Sequence, residues 1–207
     1  MRLIYGTGNQ GKVKQVRDYI KTTNIDLDIV PVKELGFDKE IEENGTTFEE
    51  NSLIKAKEIK KYCVENNIEG IIITDDSGIC VEELDDRPGI YSARYAGDHA
   101  PQEIVLEKLL REMKQVEEDT GIKNRNAKYV CVITAILPNG KTIAVRGECK
   151  GIILEKPGDL GRMTYDPVFV LEGFDKPVSE IEDEYLENMH REKAIVKLIE
   201  ILKKEGY

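Results

Sequence analysis

An α/β fold around a mixed sheet is the expectation for this chain, and three stretches predict it. Gly70 to Thr74 (G-I-I-I-T) carries three consecutive isoleucines with nothing polar between them, as in a strand buried on both faces. Residues 2–5 lead into Thr7-Gly8-Asn9-Gln10-Gly11-Lys12. Val13, Val16 and Ile20 then recur at helical spacing, so the order is strand, Gly-rich loop, helix. Tyr129 to Leu137, Pro138-Asn139-Gly140-Lys141 and Thr142 to Leu154 read as a hairpin, which makes the sheet mixed rather than purely parallel.

The N-terminal loop has a specific chemistry. Its glycines allow a tight turn, the N–H groups of the helix start can receive phosphate oxygens, and Lys12 adds a mobile positive charge. It is not a Walker A loop, because too few residues separate the glycines. A plain strand-to-helix turn with a solvated lysine is the other reading.

A second strand spans residues 27–32 and ends near Pro31, before an acidic segment with Glu40, Glu42 and Glu43. Thr47 and Glu50 have capping-box spacing and announce a helix whose inward face is Phe48, Ser52, Ala56, Ile59 and Cys63. Lys55 lies off that stripe, close to its edge. Ahead of a helix start, Glu42 and Glu43 read either as solvated, dipole-favoured carboxylates or as metal ligands.

The buried strand is expected to stop in Asp75-Asp76-Ser77-Gly78, with Ile79-Cys80-Val81 continuing as another strand. Two adjacent carboxylates there are costly unless a cation, hydrogen bonds or water meet them. Ends of strands in α/β sheets are also where ligands bind. Asp, Ser and Gly are good turn formers, so a turn and a site are both open readings.

Asp85 to Gly89 is a turn, and Pro101 opens a helix burying Ile104, Val105, Leu109 and Met113. Glu117 to Asn126 and Lys156 to Arg162 read as loops, and Thr164 to Val170 leads into a last short strand. His190-Arg191 starts a helix with Ala194, Leu198, Ile201 and Leu202 inward, closed by Gly206. His190 can cap or pack there as well as bind. No repeat, low-complexity tract or linker divides the chain, so one domain over residues 1–207 is expected.

Composition excludes several functions. The net charge of −10, with a pI near 4.9, disfavours nucleic acid or an anionic membrane as partner. An anionic substrate would need local positive partners. No apolar run approaches the roughly 20 residues that span a bilayer. No signal-peptide pattern precedes Leu3-Ile4-Tyr5, and Cys63, Cys80, Cys131 and Cys149 form no C-x-x-C or zinc spacing. A cytoplasmic protein is expected. With only His99 and His190, a histidine-rich metal site is excluded.

Read together, the motifs point to one family. They are Thr7-Gly8-Asn9-x-Gly11-Lys12, Thr47-Phe48-x-Glu50-Asn51 with Lys55-Ala56, Asp75-Asp76-Ser77-Gly78, and Pro88-Gly89-Ile90-Tyr91-Ser92-Ala93-Arg94-Tyr95. Tyr165-Asp166-Pro167 and His190-Arg191 complete the set. In this order the chain resembles the inosine triphosphate pyrophosphatase family, which acts on ITP, dITP and XTP. The resemblance implies an elongated two-lobed α/β fold, with a central mixed β-sheet flanked by helices and a cleft between the lobes. It also implies a homodimer, Mg²⁺ dependence, and hydrolysis of a nucleoside triphosphate to the monophosphate and pyrophosphate.

Roles carried over by the resemblance are these. Thr7, Gly8, Asn9, Gln10, Gly11 and Lys12 hold the triphosphate with Lys55. Asp76 is the proton acceptor and a metal ligand, beside Asp75, and the Glu42/Glu43 segment completes the metal site. Ser77, Met163, Thr164, Tyr165, Asp166, His190 and Arg191 line the substrate pocket. On this reading Mg²⁺ also keeps Asp75 and Asp76 both ionised, while Lys12, Lys55 and Arg191 neutralise phosphate charge.

Two positions depart from the family pattern. The usual Gly-Phe-Gly-Tyr-Asp-Pro is Arg162-Met163-Thr164-Tyr165-Asp166-Pro167 here, so a thioether stands where an aromatic would stack on the purine. Tyr185 replaces a lysine that precedes His-Arg by five residues. The phosphate half therefore matches while the base-reading half is altered. Two alternatives follow: a pyrophosphatase for another modified nucleotide, or a nucleotide-binding sensor without turnover.

Overall fold

Among the residues described by the computed structural model (2–22, 27–161, 163–182 and 189–207), the strands are β1 (Arg2–Tyr5), β2 (Asp28–Pro31), β3 (Ile71–Val81), β4 (Arg87–Pro88), β5 (Asn126–Ile136), β6 (Thr142–Ile153) and β7 (Phe169–Leu171). The α-helices are α1 (Gln10–Thr22), α2 (Phe48–Glu65), α3 (Gln102–Thr120) and α4 (His190–Lys204). The strands lie in the order β2-β1-β3-β5-β6-β7, with β4 beside β3. β1 is parallel to β2 and β3, whereas β3–β4 and β6–β7 are antiparallel, so the sheet is mixed as expected. Among the described residues, no helix is long and apolar enough to cross a membrane.

Two compact units divide the chain: Met1–Asp76, Cys131–Gly147 and His190–Tyr207 form the first, and Ser77–Val130 with Glu148–Met189 the second. In the first unit, strand alternation sends Leu3, Tyr5, Ile71 and Ile73 to the side covered by α1 and α4. Ile4 and Ile72 go to the other side, against Ala56, Ile59 and Cys63 of α2. The three isoleucines thus serve both layers, and full burial of each contributes roughly 1.5–3 kcal/mol. In the second unit α3 covers Ile79 and Val81 with Val105, Leu106, Leu109 and Met113, beside Tyr129 and Phe169.

Four expectations are corrected. β3 does not stop at Asp75; it runs unbroken for 11 residues, so Asp75–Gly78 is strand and not a turn. Turn-prone residues stay extended there because β1 and the second unit's packing hold both ends of the strand. Helix α3 reaches Thr120, through the first four residues read as a loop. Its end is set by Gly121 in the left-handed conformation, φ 69°, and not by loss of the apolar stripe. On α3, Ile104 is exposed and Leu106 is buried beside Val105 in its stead, because the apolar stripe lies one position further round the helix. On α4, Ile195 and Ile199 are buried while Ile201 is partly exposed.

The motifs Asp75–Gly78 and Pro88–Tyr95 meet in packing. Ser92, on a 3₁₀ segment over Gly89–Arg94, accepts from the Ile79 N–H at 2.9 Å and donates to the Gly89 carbonyl at 2.6 Å. A Cβ on Gly78 would lie 2.2 Å from the Gly89 oxygen and 2.4 Å from Ser92 Oγ. Only glycine fits that approach.

Candidate active site

Because β3 is continuous, Asp75 and Asp76 point to opposite sides of the sheet. Adjacent in sequence, they have different environments. Asp75 is 2% exposed and faces the α1/α4 layer. Its carboxylate accepts from Tyr5 Oη at 2.8 Å, from Lys12 Nζ at 2.8 Å and from Arg191 at 3.4 Å, with the Cys131 thiol at 4.0 Å. Burial opposes its charge, but Lys12 and Arg191, with Lys55, outweigh it and hold the carboxyl well below the usual aspartate range. No metal is needed to keep Asp75 ionised, contrary to the expectation from adjacency.

Asp76 faces α2. Asn51 Nδ2 donates to it at 3.2 Å, and Lys55 Nζ stands 3.7 Å from Oδ1. That ammonium also donates to Glu43 at 2.8 Å, so one cation bridges two carboxylates. Burial raises the Asp76 carboxyl above its ordinary value; Lys55 opposes the rise and Glu43 adds to it. Burial also works against the charge of Lys55, yet Asp76, Asp75 and Glu43 together raise its pKa. Glu42 is exposed, and Glu43 is the glutamate brought to Asp76.

Helix α2 is held for this task by a polar cluster in the core. Thr47 caps the helix, accepting from the Glu50 N–H at 3.1 Å, while the Glu50 carboxylate takes the N–H and hydroxyl of Thr46. Ser52 Oγ donates to the Thr74 carbonyl and accepts from the Thr134 N–H, both at 3.1 Å, tying α2 to β3 and β5. Asn51 and Lys55 are thereby set in register with Asp76.

At the start of α1, the N–H groups of Gly11 and Lys12 donate to Asn9 Oδ1 at 2.9 and 3.3 Å, and the Asn9 N–H donates to Thr7 Oγ1. Two donors expected to be open for phosphate are therefore engaged by Asn9, whose side chain caps the helix. Thr7 and Gly8 line a cavity of about 350 Å³ with Lys33, Glu43 and Lys55, whereas Gln10 and Gly11 lie outside its lining.

His190 and Arg191 belong to the first unit, with Lys12 and Asp75. Arg191 is buried on Asp75 and on Gln15. His190 is buried too, and burial first, then Arg191, holds its imidazole neutral well below the ordinary range. Ser77 follows Asp76 on the strand and counts with the second unit.

In the second unit Tyr165 and Asp166 are buried, while Met163 and Thr164 are half-exposed. Tyr165 Oη donates to the Ser92 carbonyl at 2.8 Å. The Asp166 carboxylate takes Tyr129 Oη at 3.1 Å and the Met163 N–H at 3.2 Å. Arg162 and Tyr185 lie outside the described residues.

Tyr5, Gln15, Gln102 and Tyr129 carry no local signal of a role, because each acts through a partner 37 to 176 positions away. Asn51 was visible only as part of a motif.

The donor set suits a hard cation. Mg²⁺ takes one or two protein carboxylates together with substrate phosphate oxygens. Glu43 and Asp76 supply two carboxylates already bridged by a positive group. Among the described residues no cluster of three or more His, Cys, Asp or Glu side chains could hold a metal alone.

Comparison with known proteins agrees with the motifs. The Ham1 family model matches residues 3–201. A dITP/XTP pyrophosphatase of Clostridium perfringens is 40% identical over 204 residues, covering 98% of this chain and 97% of that one. A dITP/XTP pyrophosphatase of Bacillus subtilis is 37% identical, covering 96% of each. The solved structure of the Staphylococcus aureus Ham1 protein superposes with a TM-score of 0.82 at 32% identity, over 99% of this chain and 100% of that one. The motif resemblance thus holds along nearly the whole sequence, and the chain belongs to the Ham1 family.

Proposed function

We propose that this chain hydrolyses non-standard purine nucleoside triphosphates (ITP, dITP and XTP) to the monophosphate and pyrophosphate. The names of its relatives support the activity. The observation that carries it is Asp76, a carboxylate 7% exposed that faces Lys55 and Glu43 and accepts from Asn51 Nδ2. A carboxylate placed among positive groups is where a water attacking a phosphate can give up its proton.

In this reading Asp76 accepts a proton as water attacks the α-phosphorus. The bond from that phosphorus to its bridging oxygen breaks, and pyrophosphate leaves with the electron pair. Lys55 and Lys12 oppose the charge of the phosphate oxygens, and Arg191 adds to the field from behind Asp75. Glu43 and Asp76 would hold Mg²⁺, which supplies charge neutralisation at the phosphates. Asp75 orients Lys12 and Arg191 and acts through them.

A second reading rests on Met163. Where the base-reading segment lacks its aromatic, the favoured base can differ from hypoxanthine or xanthine. One assay separates the readings: pyrophosphate release from ITP, XTP, dITP and the common nucleoside triphosphates with Mg²⁺. Highest kcat/KM for the first three is the expected result. A ranking led by another base supports the second reading, and no release from any of them refutes both.

A further inference from the structure

We infer that Gln102 is a positioning residue for base selectivity, and that it sets the conformation of Met163-Thr164; the inference rests on the reading of that segment as the base-facing one. Gln102 is the first residue of α3, 61 positions before Met163. Its side-chain amide donates to two successive carbonyls, Met163 O at 2.8 Å and Thr164 O at 3.1 Å. The Met163 N–H is held from the other side by Asp166, itself fixed by Tyr129 Oη. Both backbone polar groups of Met163 are thus engaged by side chains from different elements.

This clamp has a physical purpose. Residue 163 precedes and residue 164 opens the turns that lead to β7. No strand or helix ladder fixes their carbonyls, and besides the Gln102 amide only the Asp166 N–H, at 3.2 Å from Met163 O, is recorded on them. Methionine has three rotatable side-chain bonds and an adaptable thioether, so it presents a defined surface only if its backbone is fixed. Met163 and Thr164 are half-exposed, whereas the neighbouring Tyr165 and Asp166 are buried and bonded inward. The pair the amide grips is therefore the pair available to a ligand. Discrimination between purines depends on placing one or two contacts, and a loosened loop blurs it without touching the phosphate end.

Two substitutions test this. Gln102→Leu removes the amide, and Gln102→Glu keeps its shape while replacing both donors by acceptors. Each variant is assayed for kcat and KM with ITP and ATP, and for competitive inhibition by pyrophosphate, which reports the phosphate end alone. We expect both variants to lose about tenfold in the ITP-to-ATP ratio of kcat/KM, through KM for ITP. kcat and the pyrophosphate inhibition constant stay within about twofold.

An unchanged ratio in either variant overturns the inference, since a residue that only fills space would be replaced by glutamate without loss. So does a parallel rise in KM and the pyrophosphate constant, which marks general loosening. If the unaltered protein prefers no purine over another, the base-facing reading itself fails and the inference falls with it. That outcome is recognised before any variant is made.

Discussion

Ion pairs fill the candidate site of the first unit, whereas the described residues 163–166 of the second, the segment proposed to face the base, are held by hydrogen bonds to carbonyls, a hydroxyl and an N–H. Lys12 and Arg191 meet Asp75, and Lys55 meets Glu43 and Asp76. In the second unit Tyr165 donates to a carbonyl, Gln102 donates to two, and the Asp166 carboxylate holds a hydroxyl and an N–H. The contrast follows the chemistry each region would face. A triphosphate is recognised by charge, which falls off slowly and tolerates small misplacements. A base is recognised by donors and acceptors, which must be fixed to a fraction of an ångström and gain nothing from net charge.

The comparison is sharpest within β3, where two neighbouring aspartates should respond in opposite ways. Asp76→Asn is expected to lower kcat by about 10³-fold, roughly 4 kcal/mol of barrier, by removing the proton acceptor. The same change should leave stability equal or higher at pH 7. The folded-state pKa of Asp76 is raised, so its ionised form is disfavoured by folding and the neutral amide relieves that cost. Pyrophosphate-release rates beside urea unfolding would show both effects in one protein.

Next comes Asp75→Asn, expected to cost about 3 kcal/mol of stability, because Arg191 is left buried without its counter-charge. Thermal unfolding at pH 7 checks this. If Asp75→Asn proves as stable as the parent, Asp75 is not what holds Lys12 and Arg191, and the proposed division between the two aspartates collapses.

A smaller effect concerns His190. Its folded-state pKa lies well below 6.5, so under mild acid the unfolded chain binds a proton that the native state refuses. Stability contributed by the neutral imidazole is complete above about pH 6.5 and declines as the pH falls. Between pH 6.5 and 5.5 the loss should be about 1 kcal/mol beyond that of a His190→Gln variant, read by urea titration at each pH.

The smallest change belongs to the second unit. Met163→Phe restores a stacking surface, and KM for ITP should fall about threefold, near 0.6 kcal/mol, with kcat unchanged. A change in kcat instead would mean that the segment reaches the reacting phosphate, and the separation of roles would need redrawing.

Much of this was legible in the sequence for local reasons. The 3.6-residue recurrence of Val13, Val16 and Ile20 and the stripe from Phe48 to Cys63 gave helices whose buried faces are those residues. The Thr47 cap and the Asn-Gly turn after Leu137 are short-range signals, and both elements form where they stand. Lys55 and Glu43 could be nominated because helix-edge placement and an acidic segment before the helix are visible in a line of letters.

What could not be read is what depends on strands lying side by side. Asp75 to Gly78 has turn chemistry, and it stays extended inside a strand whose start pairs with β1 at Ile71–Ile73 and whose Gly78 packs against Ser92. The facing of the two aspartates follows from that continuity alone. Likewise, Asn9 supplies turn chemistry in the sequence, but that it takes the N–H groups of Gly11 and Lys12 is a matter of side-chain geometry.

By itself, then, the sequence determined the order of the helices, most of their inward positions and the mixed sheet, and it nominated the residues of the candidate site. These follow from periodicity and from chemistry carried by single residues. Tertiary structure decided that Asp75 anchors Lys12 and Arg191 while Asp76 faces Lys55 and Glu43, and that Gln102 grips Met163 and Thr164. Those choices rest on contacts between residues far apart in the chain, whose distances are fixed only when the core packs.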